Sequence, residues 1–372
     1  MKRKRVGLVF GGRTVEHDVS LISARAVAAH LDHDKYEVVP IGITREGFWL
    51  TAGDAQSLLG ADLGHARATR AVLTGDPSVG GLVPIEKAGA RVGIDVIFPL
   101  VHGQGGEDGT LQGLLELAGL PYVGSGVLGS SLGMDKVAMK TMFRSAGLPQ
   151  AEYFAVSRGR IQRDLPGIQR EVAELLGYPC FTKPSNGGSS VGVSKVKSPE
   201  GLRAALEEAS TYDRRVVIEE AVAAQEVECA VLGNEEPEAS VAGEIVPCRE
   251  FYDYTAKYLE EGSELIIPAR ITQAQAEKVR AMSITAFKVL DCAGMARVDF
   301  FVRRSDGAVL INEINTIPGF TPISMYPRLW EASGVAFAPL VDRLIALAIE
   351  RHEQNRSLKR EFAPGQKAPG VR

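Results

Sequence analysis

Residues 296–320, ARVDFFVRRSDGAVLINEINTIPGF, combine two strongly apolar runs with polar residues spaced two apart. Arg297 and Asp299 interrupt the first run, and Glu313 and Asn315 interrupt the second. Alternate residues of a β-strand share a face, so each pair projects from one side of its strand. The RRSDG between the runs ends in a turn-forming Asp-Gly, and the whole reads as a β-hairpin. Unpaired charge is costly in such apolar surroundings. A surface hairpin with solvated charges is one outcome. The other is a metal site, because two carboxylates and an amide oxygen suit Mg²⁺, which is usually held by one or two carboxylates together with nucleotide phosphates. The interruption of both apolar runs favours the metal.

A chain of 372 residues has room for two or three domains. Its net charge of −4 supplies no global basic field for nucleic acid. The MKRKR start lacks the apolar core of a signal peptide, and no run is long enough to span a bilayer. The four cysteines (Cys180, Cys229, Cys248 and Cys292) are scattered without metal-ligand spacing and read as reduced structural residues. These features predict a soluble, cytoplasmic protein with no nucleic-acid or membrane partner.

RVGLVFGG reads as a buried strand ending in a glycine turn, and VSLISARAVAAHL has helical apolar spacing. YEVVPIGI and IDVIFPLVHG are further strands. This alternation predicts an α/β unit built on a parallel sheet, with 51–92 as an irregular elaboration. A glycine-rich hinge, GSGVLGSSLGMDK, leads to a second unit in which YPCFTKPSNGGSSVGVSKV forms two strands around a glycine-serine loop. PEGLRAALEEAS is an amphipathic helix started by Ser198 and Pro199. A third unit begins near RRVVIEEAV, contains the helix TQAQAEKVRAMSITAFKVL and the hairpin, and ends in the helix FAPLVDRLIALAIERHEQN.

Several loops carry candidate chemistry. Lys183 leaves an apolar strand just before Gly187, Gly188, Ser189 and Ser190, where successive amides can form an anion nest; the loop either contacts phosphate or is a flexible turn. Glu16, at a helix start, either complements the helix dipole or takes a substrate ammonium. In HGQGGEDGT, His102 reads as a supporting contact, and Glu107 and Asp108 as caps of the helix near Thr110. The long irregular stretch REFYDYTAKYLEEGSE, with Lys257 and Tyr258, reads as an active-site lid or as a mobile surface loop.

Taken together and in order, GGRTVEHDVSL, HGQGGEDGT, MDK, TKPSNGGSSVGVSKV, EEAVAAQEVECAVLG, YDYTAKY, ARVDFFV and NEINTIPGFTPISMYP make the chain resemble the D-alanine–D-alanine ligases of the ATP-grasp superfamily. The resemblance spans nearly the whole chain. It implies an N-terminal substrate-binding α/β domain (1–124), a central ATP-grasp subdomain (125–218) and a C-terminal ATP-grasp subdomain with metal site and lid (219–358); the Pro, Gly and Lys of 359–372 predict a disordered tail. The resemblance also implies phosphorylation of one D-alanine carboxylate by ATP and attack by the amine of a second.

Residue by residue, the resemblance makes Asp299, Glu313 and Asn315 the ligands of two Mg²⁺ or Mn²⁺, with room for a monovalent cation elsewhere. Lys136, Lys183 and Lys257 reach ATP phosphates; Glu219, Glu220, Ala221 and Val222 read adenine; Glu226 takes the ribose. Glu16 and His102 form the first D-alanine subsite, and Ser324 and Met325 the second. Arg297 and the Gly319 amide stabilise the oxyanion, and Ser189 and Tyr258 join Glu16 in a network that ties lid to substrate. Many relatives have leucine in place of Met325, a swap that conserves volume. The AKY of the lid favours D-alanine over D-lactate as the second substrate, and family members commonly form homodimers. A D-alanine–D-lactate ligase, another ATP-grasp carboxylate–amine ligase and a nucleotide-binding regulatory protein without turnover are the competing readings.

Overall fold

The computed structural model describes residues 2–60, 62–86, 89–246 and 264–359, so the candidate lid residues Lys257 and Tyr258, Cys248 and nearly all of the tail lie outside the described residues. Strand β1 (Lys4–Gly11) is followed by helix α1 (His17–His30) and β2 (Tyr36–Ile43). Short elements come next: β3 (Trp49–Thr51), α2 (Gln56–Leu59), β4 (Thr69–Leu73), β5 (Gly81–Pro84), β6 (Val92–Gly93) and β7 (Val96–Pro99). They form one sheet of order β6-β5-β4-β3-β2-β1-β7. Only β2, β1 and β7 are parallel; β3 to β6 continue the sheet antiparallel. The stretch 51–92, expected to be irregular, is mostly turns and irregular backbone but also contributes β4, β5 and the adjoining ends of β3 and β6 to the sheet. Its strands are too short for a period-two pattern to stand out, and adjacent strands joined by brief turns pair antiparallel.

Helices α3 (Thr110–Leu117), α4 (Val127–Met134) and α5 (Lys136–Ser145) lead to a second sheet. It comprises β8 (Tyr153–Ser157), β9 (Cys180–Pro184), β10 (Ser194–Val196) and β11 (Arg215–Glu220), in the antiparallel order β10-β9-β11-β8. Helices α6 (Arg158–Arg163), α7 (Leu165–Leu175) and α8 (Pro199–Tyr212) share its core through Ile161, Ile168, Val172, Leu202 and Leu206. The glycine-serine loop joins β9 to β10, as its composition implies.

The third sheet is antiparallel, of order β14-β13-β12-β15-β16. Its strands are β12 (Ala224–Gly233), β13 (Glu238–Val246), β14 (Glu264–Ile266), β15 (Gly294–Arg303) and β16 (Val309–Asn315). The hairpin of 296–320 is β15–β16, turned at Gly307, whose φ of +72 favours glycine. One face packs on α9 (Gln273–Val289), where Val227, Cys229, Val298, Phe300, Ile311 and Ile314 meet Val279, Ala286 and Phe287. Thr272 and Gln275 start α9 with a reciprocal capping box.

The opposite face is divided. At one end Ala230, Leu232 and Met295 lie in a core shared with α10 (Met325–Ala332), α11 (Phe337–Ser357) and the N-terminal sheet residues Val6, Leu8, Phe10 and Phe98. At the other end the same face carries Glu226, Glu228, Arg297 and Asp299, two-residue continuations of the apolar positions. The cleft begins where the helical cover stops. Helix α11 joins both sheets in one core, so truncation there should be felt globally. Leu344, fully buried on α11, should cost about 2–5 kcal/mol when replaced by Ala, measured as a lower urea midpoint for a single unfolding transition.

Candidate functional site

The register of the third sheet explains the first part of the site. Glu228 pairs with Asp299, and Asp299 with Glu313, so three carboxylates stand abreast on adjacent strands. A strict alternation from Ile311 would turn Glu313 toward α9. The extra residue Asn312 forms a bulge opposite Asp299 and Phe300 and returns Glu313 and Asn315 to the cleft side. Like charges directly opposite are destabilising, and the next row supplies the countercharge. Arg297 donates from Nε and Nη2 to the two Asp299 oxygens at 2.7 Å each and lies 3.0 Å from Glu228. Asn315 Nδ2 donates to Asp299 at 3.2 Å, and Lys136 Nζ lies 3.4 Å from Glu313.

Among the described residues no group of three His, Cys, Asp or Glu side chains is placed to hold a metal alone. The donors at hand are two carboxylates, Asp299 and Glu313, and one amide, Asn315. This hard-oxygen set fits a Mg²⁺-like ion shared with phosphate oxygens.

A second group lies between the sheets. Glu219, at the end of β11, is 1% exposed, and each of its oxygens accepts from a lysine: Lys140 of α5 and Lys183 of β9. Burial would raise the Glu219 carboxyl, but the two ammonium groups outweigh it and hold it down at about 2. Glu226 and Glu313 act on Lys183 in the same attractive sense. Glu220 faces elsewhere, accepting from the Glu152 amide at 3.0 Å, while the Ala221 amide donates to the Pro179 carbonyl at 3.3 Å and Val222 lies in the link to β12.

The third part joins the N-terminal loops to the glycine-serine loop. Glu16 precedes α1, and its carboxylate accepts from Ser189 Oγ at 2.5 Å. Gly103 has φ +76, and a Cβ there would lie 2.9 Å from the Glu16 carboxylate, so only glycine allows this approach. Ser189 and Ser190 both take left-handed backbone conformations, at φ 49 and 59. Lys136 secures the loop's start, its amide donating to Ser185 O at 2.8 Å and its Nζ to Gly187 O at 2.9 Å. Asp135 caps α5 and also accepts from Ser185 Oγ, Asn186 Nδ2 and Arg215.

Burial and the nearby Arg297 pull the His102 imidazolium down, against Glu16 and the Ile317 carbonyl. In the neutral ring Nδ1–H donates to Ile317 O at 3.0 Å, and Nε2 accepts from Ser23 Oγ at 3.2 Å. Glu107 does not cap α3. It accepts from the Gly103 amide at 2.6 Å and the Ile317 amide at 3.1 Å, while Asp108 accepts from Thr110.

Glu16, His102, Lys136, Ser189, Arg297, Glu313, Asn315 and Gly319 line one cleft, with Glu107 among them. Ser324 and Met325 are not brought to it as lining residues. The Ser324 hydroxyl bonds Thr321, and Met325, 5% exposed, packs in the core beneath Gly243. Lys257 and Tyr258 lie outside the described residues. Sequence reasoning missed Glu228, Lys140 and Ser23. Glu228 was legible by the rule that exposed Asp299, since it follows Glu226 by two within a strand.

Comparison with known proteins adds to this geometry. Residues 5–125 match the family model described as D-ala D-ala ligase N-terminus, and residues 142–346 the one described as D-ala D-ala ligase C-terminus. The chain is 49% identical over 365 residues to the D-alanine–D-alanine ligase of Geobacillus thermodenitrificans (strain NG80-2), covering 97% of this chain and 99% of that one. A ligase of the same name from Thermoanaerobacter sp. (strain X514) is also 49% identical, over 95% and 99% of the two chains. Among solved structures, the D-alanine–D-alanine ligase of Coxiella burnetii superposes with a TM-score of 0.86 at 35% identity, covering 96% of this chain and 97% of that one. The VanG D-Ala:D-Ser ligase of Enterococcus faecalis superposes with a TM-score of 0.84 at 37% identity, covering 93% and 100%.

The electrostatics yield a test. Burial first, and the Glu16 charge second, push the Glu107 carboxyl from an ordinary 4.5 up to about 8. The fold therefore binds this proton more tightly than the unfolded chain. The resulting stability is complete below 4.5 and is lost as pH rises toward 8. Thermal melting of the substrate-free protein should fall across that window, and Glu107→Gln should flatten the fall while lowering stability overall through one mismatched amide contact.

Proposed function

The chain belongs to the D-alanine–D-alanine ligase family, and on that footing we propose how its residues join two D-alanines at the expense of ATP for peptidoglycan precursors. Family membership implies ATP and a divalent metal. The observation that carries the residue-level reading is the single cleft in which an acidic oxygen-ligand row, a lysine, a guanidinium and a buried carboxylate converge.

Glu16, secured by Ser189, receives the ammonium of the first D-alanine, and neutral His102 packs beside it. That places the substrate carboxylate toward Arg297 and Lys136. Lys136 and Lys183, with Lys257, offset the phosphate charge of ATP. Glu219 holds Lys183 in place, and the connecting segment from Glu219 to Val222, rather than the Glu219 and Glu220 carboxylates, meets the adenine; Glu226 meets the ribose. Asp299, Glu313 and Asn315 would hold the divalent metal, two Mg²⁺ or Mn²⁺ ions in this reading, which would supply positive charge to offset that of the phosphates.

The acceptor carboxylate takes the γ-phosphoryl and becomes an acyl phosphate, which supplies the leaving group a free carboxylate lacks. The amine of the second D-alanine, on the side of Gly319 where Ser324 lies, then forms the C–N bond. The carbonyl electron pair moves onto oxygen, where Arg297 and the Gly319 amide stabilise it, and its return expels phosphate. Tyr258 completes the Glu16–Ser189 network. The units in this reading are 1–124, 125–218 and 219–358, one for each sheet except that β11 of the second sheet (Arg215–Glu220) crosses the second boundary. By the same family analogy, the enzyme acts on small molecules as a cytoplasmic homodimer.

Phosphate release from ATP and Mg²⁺ should require D-alanine and fail with L-alanine or D-lactate alone. D-Serine belongs in the comparison because a structural neighbour is a D-Ala:D-Ser ligase. Equal release without any amino acid would overturn the ligase reading. Asp299→Ala and Glu313→Ala should each lose about 10²–10³-fold or more in turnover while keeping wild-type circular dichroism, and Asn315→Ala should lose less. Unfolding of both carboxylate variants at ordinary temperature would mark those residues as structural instead.

A further inference from the structure

The four residues 317–320 leave β16 and cross the cleft floor. Their backbone donors can be followed one by one. The Ile317 amide donates to Glu107 at 3.1 Å, Pro318 has none, and the Phe320 amide donates to Ser23 Oγ at 3.2 Å. Gly319 remains, and among the described residues no acceptor faces its N–H. The Ile317 carbonyl is also taken, by His102 Nδ1 at 3.0 Å, and the same Ser23 hydroxyl reaches His102 Nε2 at 3.2 Å. Ile317 is therefore gripped on both sides of its backbone and Phe320 on one, by three side chains of the N-terminal unit. Ser23 is fully buried and His102 4% exposed. A Cβ at Gly319 would stand 2.8 Å from Ser324 Oγ, so a side chain there would have to displace that hydroxyl.

We propose that Ser23 and Glu107 are positioning residues for the ligation step, which with His102 clamp residues 317–320 so that the Gly319 N–H is the one backbone donor of these four residues left for the cleft. The proposal rests on the ligase reading above. An oxyanion donor acts through its preset direction, and a displacement on the order of 1 Å can cost about 10²-fold in rate. A clamp supplied from another unit of the fold also makes this donor depend on docking of the α1 and 102–107 segments against the third sheet. Neither Ser23 nor Glu107 needs to touch a reacting atom.

The test uses full-length Ser23→Ala and Glu107→Ala, with wild-type turnover on D-alanine as the control. Each variant should lose roughly 10- to 100-fold in kcat while KM for ATP stays within about twofold, because the lysine and adenine contacts lie on other elements. Affinity for a phosphinate analogue of the dipeptide, whose tetrahedral anion mimics the intermediate, should weaken in parallel with kcat. Ser23→Ala deletes one oxygen from a helix position where Ala is favourable, so a folded variant is expected; Glu107→Ala supplies the same readouts from a different loop. Unchanged kcat and phosphinate affinity in either folded variant would overturn the proposal. So would a rise in KM for ATP matching the loss of kcat, which marks general structural damage. Absence of wild-type turnover with D-alanine would instead defeat the ligase reading itself.

Discussion

Three carboxylates abreast on neighbouring strands constrain everything around them. Glu228, Asp299 and Glu313 occupy one row of the third sheet, where mutual repulsion would oppose the pairing that creates the row. Arg297 offsets this by engaging Asp299 through both donors and reaching Glu228. Lys136 approaches Glu313 from α5. The oxygen donors of Asp299, Glu313 and Asn315 in this row are of the hard kind that suits a divalent cation. The apolar end of the same face, under α11, and the apolar back, on α9, hold the row rigid.

The second sheet solves a related problem with the signs reversed. Two lysines converge on one buried carboxylate, Glu219. A lone buried charge of either sign would be strongly destabilising, whereas a paired one is tolerated if its hydrogen bonds are complete. The cationic group and the acidic row face each other through Lys183 and Lys136. Between them lies the loop whose Ser189 bonds Glu16. Residues of the N-terminal unit thus meet residues of the other two at one cleft.

Much of this was legible because strand periodicity is strict. Arg297, Asp299, Glu313 and Asn315 are visible as polar interruptions of apolar runs, and the glycine loops mark strand ends. Helices α9 and α11 announce themselves by apolar spacing. Other features were hidden. Asn312 carries no sign that it is the extra residue of a bulge. Lys140 lies 79 residues from its partner Glu219, so nothing local distinguishes it from any helical lysine. Glu107 sits where helix caps are common, yet its partner is Ile317, 210 residues away. Met325 has the composition of a subsite wall and the surroundings of a core residue.

The sequence by itself determined which faces of which elements are apolar, where the chain turns, and which polar residues must share a side of a strand, because these follow from the two periodicities of the backbone and from the conformational freedom of glycine. Only the tertiary structure decided which side chains meet. It set the carboxylates of three strands in one row, brought Lys140 and Lys183 to one Glu219, and closed Ser23, His102 and Glu107 around residues 317–320. Those contacts depend on register, bulge position and sheet docking. They arise from the burial of distant segments against one another, and local pattern carries no record of that burial.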